Sequence, residues 1–259
     1  MAVAATATRK RVGILDLWRG IMITGVVLYH ALYDITLVYG KRMAWFTDTP
    51  VFRTAPWILA GSFILIAGIS SHYSKNNWRR GLQTLGVALA ITVITMFIPG
   101  LAIKFGVLHL IGVCVLLYAL VWRGLGKVHP GFGFVLFAGL FLLTFHIYYR
   151  GAVGIPGVLE VSPPQSLYES SWGFIFGMPT RDFTSADYYP LLPWGLLFFA
   201  GAFLGEYIKR GRAPGWVYTS RKGILARVGK KTMPLYLIHQ PVLLPLLYLL
   251  LVLVPKWLS

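Results

Sequence analysis

LDLWRGIMITGVVLYHALYD, residues 15–34, is an apolar run into which Asp16, Arg19, His30 and Asp34 are set. A run of this length spans a hydrocarbon core of roughly 30 Å. Ionisable groups at that depth are costly and are kept for function. Outward from this stretch, similar windows fall near residues 14–39, 55–74, 82–99, 104–122, 132–149, 190–208 and 232–254. Their apolar residues are continuous rather than alternating, which excludes a β-barrel. The predicted fold is therefore all-α: a polytopic membrane bundle of about seven transmembrane helices, with residues 1–259 forming one domain. The first run is too long and too charged for a signal peptide and lacks a small-residue cleavage site, so it is expected to stay as a helix. The chain is 57% hydrophobic and only 12% charged, outside the usual range for a soluble globular domain of this length.

The net charge of +16 raises the question of nucleic acid, and its distribution answers it. With a cytoplasmic N-terminus, Arg9, Lys10, Arg11, Lys75, Arg79, Arg80, Arg123, Lys127, Lys209, Arg210, Arg212, Arg221, Lys222, Arg227, Lys230 and Lys231 face inward. Lys41, Arg42, Arg53, Lys104, Arg150, Arg181 and Lys256 face outward. That asymmetry obeys the positive-inside rule and places the C-terminus outside. The basic excess reads as topology and attraction to anionic lipid, not as nucleic-acid binding. The single cysteine, Cys114, lies within an apolar run, so no disulfide framework or thiolate metal cluster is expected.

Two connections are long. The outer one, about 150–189, is rich in Pro, Gly and aromatic residues and carries Glu160, Glu169, Asp182 and Asp187, half of the acidic residues. It reads either as a simple connection or as a cap presenting acceptors and aromatic faces to a polar molecule. The inner one, about 209–231, has eight basic residues and an amphipathic look from about Arg221 to Val228. It suits the membrane interface or a polyanionic ligand.

Within the spans, His30 and Asp34 are one helical turn apart and are expected to meet. A carboxylate bonded to one imidazole nitrogen leaves the other as a base. Counting about 1.5 Å per residue from Leu15 puts His30 roughly 22 Å from the inner end, in the outer half of the membrane. Asp16 and Arg19, also one turn apart, either pair with each other or let Arg19 hold an anion while Asp16 orients it. Lys104 and His109 open the fourth span, and His239 with Gln240 precedes Pro241 in the seventh, where a freed carbonyl suits a cavity wall. Trp194 reads as an interfacial anchor or as a platform for a sugar ring. Gly68, Ser70 and Ser71 permit close helix packing. His72, His129 and His146 lie near predicted span edges, and their positions assign them no particular role. HExxH, phosphate-loop, dinucleotide and GxSxG patterns are absent, and no metal is expected.

LDLWRGIMITGVVLYHALYD, FILIAGISSHYSKNNWRRG, IKFGVLHLIGV, DYYPLLPW and YLIHQPVL, in this order, resemble the bacterial relatives of the heparan-alpha-glucosaminide N-acetyltransferase catalytic domain, a group of transmembrane acyltransferases. The resemblance runs from about Gly13 to Leu250. It implies a multi-pass enzyme of the bacterial cytoplasmic (inner) membrane that takes an acetyl or other acyl group from cytoplasmic acyl-CoA and passes it to an extracytoplasmic carbohydrate or other polar acceptor. Asp16, Arg19, Arg79 and Arg80 would then receive the CoA, His30 and Asp34 would either activate the acceptor or carry the acyl group, His109, His239 or Gln240 would serve the oxyanion, and Trp194 and Asp187 would touch the acceptor. No histidine lies between Lys41 and Pro56, where the lysosomal relative places one, and no large domain is expected before the first span. A cell-envelope glycan, lipid-linked sugar or smaller polar molecule is thus expected in place of heparan sulfate. The expected partners are membrane lipids, acyl-CoA and the acceptor, and a homodimer is compatible with the sequence. The alternative is a transporter or flippase in which His30 and Asp34 relay protons.

Overall fold

The computed structural model describes residues 12–219 and 222–254. Arg9, Lys10, Arg11, Arg221 and Lys256, used above for orientation, lie outside the described residues. Along the chain, α1 (Gly13–Tyr33) runs on into a π-helical turn, Asp34–Val38. Short α2 (Ala44–Thr47) precedes α3 (Pro50–Ser71) and α4 (Asn77–Met96). Then come α5 (Val107–Leu125), α6 (Pro130–Thr144) and the single turn α7 (Ile147–Arg150). A hairpin of β1 (Val153–Ile155) and β2 (Leu159–Val161) is followed by α8 (Gln165–Glu169). The rest is α9 (Leu191–Lys209), α10 (Gly215–Tyr218), α11 (Ile224–Gly229) and α12 (Thr232–Tyr248), which continues into a second π-helical turn, Leu249–Leu253.

Six of these helical stretches are long and apolar enough to cross a membrane: Gly13–Val38, Pro50–Ser71, Val107–Leu125, Pro130–Arg150, Leu191–Lys209 and Thr232–Leu253. The expected span at 82–99 is present as α4, but it begins earlier, at Asn77, where the Asn76 side chain accepts the Arg79 N–H at 2.9 Å and caps the helix. Arg79, Arg80 and Gln83 therefore fall inside its first turns and dilute its apolar character. The count among the described residues is six, where the sequence suggested seven. Large exposed side chains such as Leu28 and Leu142 on two of the six stretches, and Leu89 and Val93 on α4, stand on the outsides of the helices, as a lipid-facing surface requires.

The described residues gather into two compact units, one from residues 12–63 and 214–254, the other from Ile64–Ala213. In the first, α1 buries Leu15, Asp16, Gly20, Ile23 and Val26 along one side. Glycines make its closest crossing: a Cβ on Gly20 would stand 1.8 Å from the Leu225 carbonyl oxygen, and one on Gly229 would stand 1.8 Å from that of Asp16. Only hydrogen side chains let α1 and α11 meet backbone to backbone. Tyr29, Phe46 and Phe52 pack edge to face at 5.3–5.7 Å, and the Tyr29 hydroxyl donates to the Phe52 carbonyl at 3.0 Å.

In the second unit the end of α3 meets α9 by the same device. A Cβ on Gly68 would lie 2.0 Å from the Phe198 carbonyl, and one on Gly201 would lie 2.2 Å from that of Leu65. The expected small-residue contact at Gly68 is thus present. The 150–189 segment is tied to the start of α5 by a run of bonds: Lys104 N–H to Ser185 Oγ (3.0 Å), Ala186 N–H to the Ala102 carbonyl (2.9 Å) and Tyr189 N–H to the Phe105 carbonyl (3.0 Å). Within the segment, the rings of Phe174, Phe183 and Tyr188 pack in succession at 4.9–5.1 Å.

Candidate functional site

Four of the sequence-selected residues meet in the first unit. His30 stands on the last turn of α1, Asp34 opens the π-helical turn, and His239 and Gln240 project from α12. The rings of His30 and His239 pack edge to face with centroids 4.9 Å apart. Gln240 Nε2 donates to Asp34 Oδ1 at 3.5 Å, joining residues 206 positions apart in sequence. Asp34 is only 2% exposed. The Tyr39 hydroxyl, just past the π turn, donates to the Leu244 carbonyl at 2.5 Å and holds α12 against this end of α1.

The expected hydrogen bond between His30 and Asp34 is not formed, and this corrects the sequence reading. His30 Nδ1 instead lies 2.9 Å from the carbonyl of Val26, one turn back on its own helix, and Asp34 takes Gln240. A carbonyl only accepts, so Nδ1 carries the hydrogen and His30 Nε2 keeps a lone pair. The same logic applies to His239, whose Nδ1 lies 2.6 Å from the Tyr236 carbonyl. Both imidazoles are thereby fixed in the tautomer that presents Nε2 as a base.

Three buried atoms of this cluster have no partner: Asp34 Oδ2, His239 Nε2 and Gln240 Oε1. All three are acceptors. Orphaned buried polar atoms cost about 1–3 kcal/mol each and call for an explanation. A bound molecule with N–H or O–H donors supplies one, and Gln240 retains a second amide hydrogen for an oxygen of that molecule.

At the other end of α1, Arg19 Nη1 lies 3.6 Å from Asp16 Oδ1, with Asp16 buried and Arg19 partly open. The glycine crossing brings α11 against this turn, so the basic stretch Lys222, Arg227, Lys230 and Lys231 folds with the end of α1 that carries Arg19. Arg79 and Arg80 belong to the second unit. Arg79 is exposed on the first turn of α4, whereas the Arg80 guanidinium reaches the Ala67 carbonyl (3.4 Å) and Ser71 Oγ (3.5 Å), closing the C-terminal end of α3.

The other selected residues also lie in the second unit. His109 is committed on both nitrogens: Nδ1 accepts the Gly106 N–H at 3.2 Å, and Nε2 faces Thr92 Oγ1 at 3.0 Å, which itself donates to the Ile103 carbonyl at 2.7 Å. This closed network leaves His109 neither a free base nor a free donor, so it serves as the cap of α5. Asp187 Oδ2 accepts the Val107 N–H at 3.0 Å, capping the same helix from across the chain. Removal from water pushes its carboxyl up to about 6, partly offset by that bond. Trp194 is 5% exposed and packed among Phe141, Phe145 and Tyr189 at 5.1–6.0 Å. It therefore serves neither as interfacial anchor nor as sugar platform, because apolar rings already cover it.

One group escaped the sequence reading. His72, just past α3, is buried with Nε2 2.7 Å from the Ala202 carbonyl and Nδ1 3.2 Å from both the Tyr118 hydroxyl and Glu206 Oε2. Glu206 Oε1 in turn accepts from Arg210 Nε at 2.8 Å. Burial outweighs the carbonyl and the carboxylate and holds the imidazole down at about 4, so His72 is neutral. Its place at a span edge gave no periodic signal, since its partners come from two other helices, α5 and α9.

Among the described residues, no three His, Cys, Asp or Glu side chains are grouped to hold a metal ion. No curated protein and no solved structure matches the chain. The sequence pattern of the family described as "Heparan-alpha-glucosaminide N-acetyltransferase, catalytic" matches residues 11–241, from just before α1 to Pro241 beside the His239–Gln240 pair. With most of its length matched and six helices able to cross a membrane, the chain belongs to the heparan-alpha-glucosaminide N-acetyltransferase catalytic-domain family of transmembrane acetyltransferases.

Proposed function

We propose that this protein transfers an acetyl group from acetyl-CoA, or another acyl group from its CoA thioester, to an amine or hydroxyl of an extracytoplasmic carbohydrate or similar polar acceptor. The observation that carries the reading is the cluster of unpartnered buried acceptors at Asp34, His239 and Gln240, beside a His30 ring whose Nε2 is presented as a base. Asp34 Oδ2 and Gln240 Oε1 bind donors of the acceptor molecule and orient it. His30 Nε2 takes the proton as the nucleophilic nitrogen or oxygen attacks the acyl carbon. The new C–N or C–O bond forms, the C–S bond breaks, and the proton passes to the departing thiolate, giving free CoA. His239, with the same tautomer and its ring against His30, is the second base. The remaining amide hydrogen of Gln240 is the oxyanion donor within this cluster.

Arg19 and the basic stretch that folds beside it are assigned to the CoA phosphates, with N-terminus and basic segments on the cytoplasmic side of a bacterial inner membrane, in keeping with the charge asymmetry of the chain. The test is acetyl transfer by purified protein in lipid nanodiscs, with labelled acetyl-CoA and an amino sugar or a reduced glycan. His30→Ala should lower transfer by about 100- to 10,000-fold while CoA still binds. A wild-type rate in that variant would pass the role to His239, and wild-type protein that moves substrate without consuming thioester would be a carrier instead.

A further inference from the structure

The hairpin after α7 has two chemically different faces. Its register pairs Val153 with Val161, Gly154 with Glu160 and Ile155 with Leu159. Paired residues share a face, so Val153, Ile155, Leu159 and Val161 form one apolar face, and Gly154 with Glu160 forms the other. The turn between the strands follows from Pro156 and Gly157, the latter at φ 76°, with the Val158 N–H bonded to the Ile155 carbonyl at 3.0 Å. Val158 at the tip is 80% exposed, and Ile155, Leu159 and Val161 are 53%, 69% and 62% exposed. An isolated two-stranded ribbon is marginally stable, and four large apolar side chains facing water would not improve it.

Its position in the chain says what covers them. Arg150 ends the stretch Pro130–Arg150, which is long and apolar enough to cross the membrane, and β1 begins three residues later. At about 3.3 Å per residue the strand starts within about 10 Å of the end of that span. The exposed rings of Tyr148 and Tyr149 mark the same level as interfacial. Arg150 Nη2 reaches Glu160 Oε2 at 3.4 Å, so the polar face is turned to the charged end of the helix. The apolar face is continuous in sequence with the lipid-facing span.

We propose that the apolar face of the Val153–Val161 hairpin, with Val158 at its tip, lies in the headgroup–acyl boundary of the bilayer and fastens the 150–189 segment to the membrane surface. Apolar side chains on one face and a charged residue on the other are what an element needs to lie in the plane of that boundary.

The experiment uses the full chain reconstituted in phosphatidylcholine vesicles, with nitroxide labels at Leu159→Cys, Glu160→Cys and Val161→Cys in turn. Native Cys114 is fully buried and does not compete for label. Collision rates with oxygen, which concentrates in lipid, and with a water-soluble nickel chelate are compared. The expected result is a two-residue alternation, in which labels at 159 and 161 meet oxygen several-fold more than nickel and the label at 160 shows the reverse. Equal access of nickel to all three positions would overturn the proposal. So would spin–spin broadening at 159 and 161 that disappears on dilution with unlabelled protein, because a second copy would then cover the face.

Discussion

Asp34→Asn separates what the site costs from what it does. Asp34 is nearly fully buried, one carboxylate oxygen has no partner, and the other has a single bond to Gln240 at 3.5 Å, the outer limit of a hydrogen bond. Asparagine has the same shape, keeps an oxygen for Gln240 and puts a neutral amide among the orphaned acceptors Gln240 Oε1 and His239 Nε2. Removing the penalty of one unsatisfied buried atom is worth about 1–3 kcal/mol, with the lost charge adding to it. For a chain of this size that raises the unfolding midpoint by roughly 2–10 °C. The same change removes the acceptor proposed to orient the incoming donor group, and transfer should fall by about 100-fold or more. Thermal unfolding in detergent, followed by tryptophan fluorescence, and single-turnover transfer from labelled acetyl-CoA read the two effects on one preparation. A variant that melts lower and transfers at the wild-type rate would refute the reasoning, since Asp34 would then be a structural partner of Gln240.

Two further expectations concern groups outside this cluster. Arg19→Ala should weaken CoA binding by about 1.5–3 kcal/mol, the worth of a charge-assisted contact, read by titration calorimetry; an unchanged affinity in folded protein would make Arg19 a structural residue. Asp187 carries its folded-state carboxyl at about 6, against an ordinary 3.8, because it is removed from water. Between those values the folded protein holds a proton that the unfolded chain has released, so stability present below pH 3.8 is lost as pH rises through 6, by up to about 3 kcal/mol. The unfolding midpoint of wild type relative to Asp187→Asn should therefore decline from pH 4 to pH 7, and parallel curves would disprove the shift.

The helices were legible because long apolar runs have few alternatives, and the shifted boundary at α4 arose where a capping asparagine drew two arginines into the helix. His30, Asp34, His239 and Gln240 were each legible as ionisable or polar groups in apolar surroundings. Their pairing was not. Helical spacing joins residues four apart, whereas Asp34 is claimed by a glutamine 206 positions away and His30 by a carbonyl of its own helix. Trp194 shows the same limit from the other side: the residue type suggests a surface, but three aromatic neighbours brought in by folding bury it. His72 and its partners Tyr118 and Glu206 come from separate helices and leave no local pattern to read.

On the roles proposed for Arg19 and His30, the unbroken run of α1 from Gly13 to Tyr33 also acts as a ruler. Arg19 and His30 are eleven residues apart, close to three full turns, so they point from the same side of the helix about 16 Å apart. A donor gripped by its phosphates at one mark must carry its reactive carbonyl on a thin, extended arm long enough to reach the other. Free acetate, acetyl phosphate and short thioesters would fall short by most of that distance, so the helix would select among activated acyl groups by length before any chemistry begins.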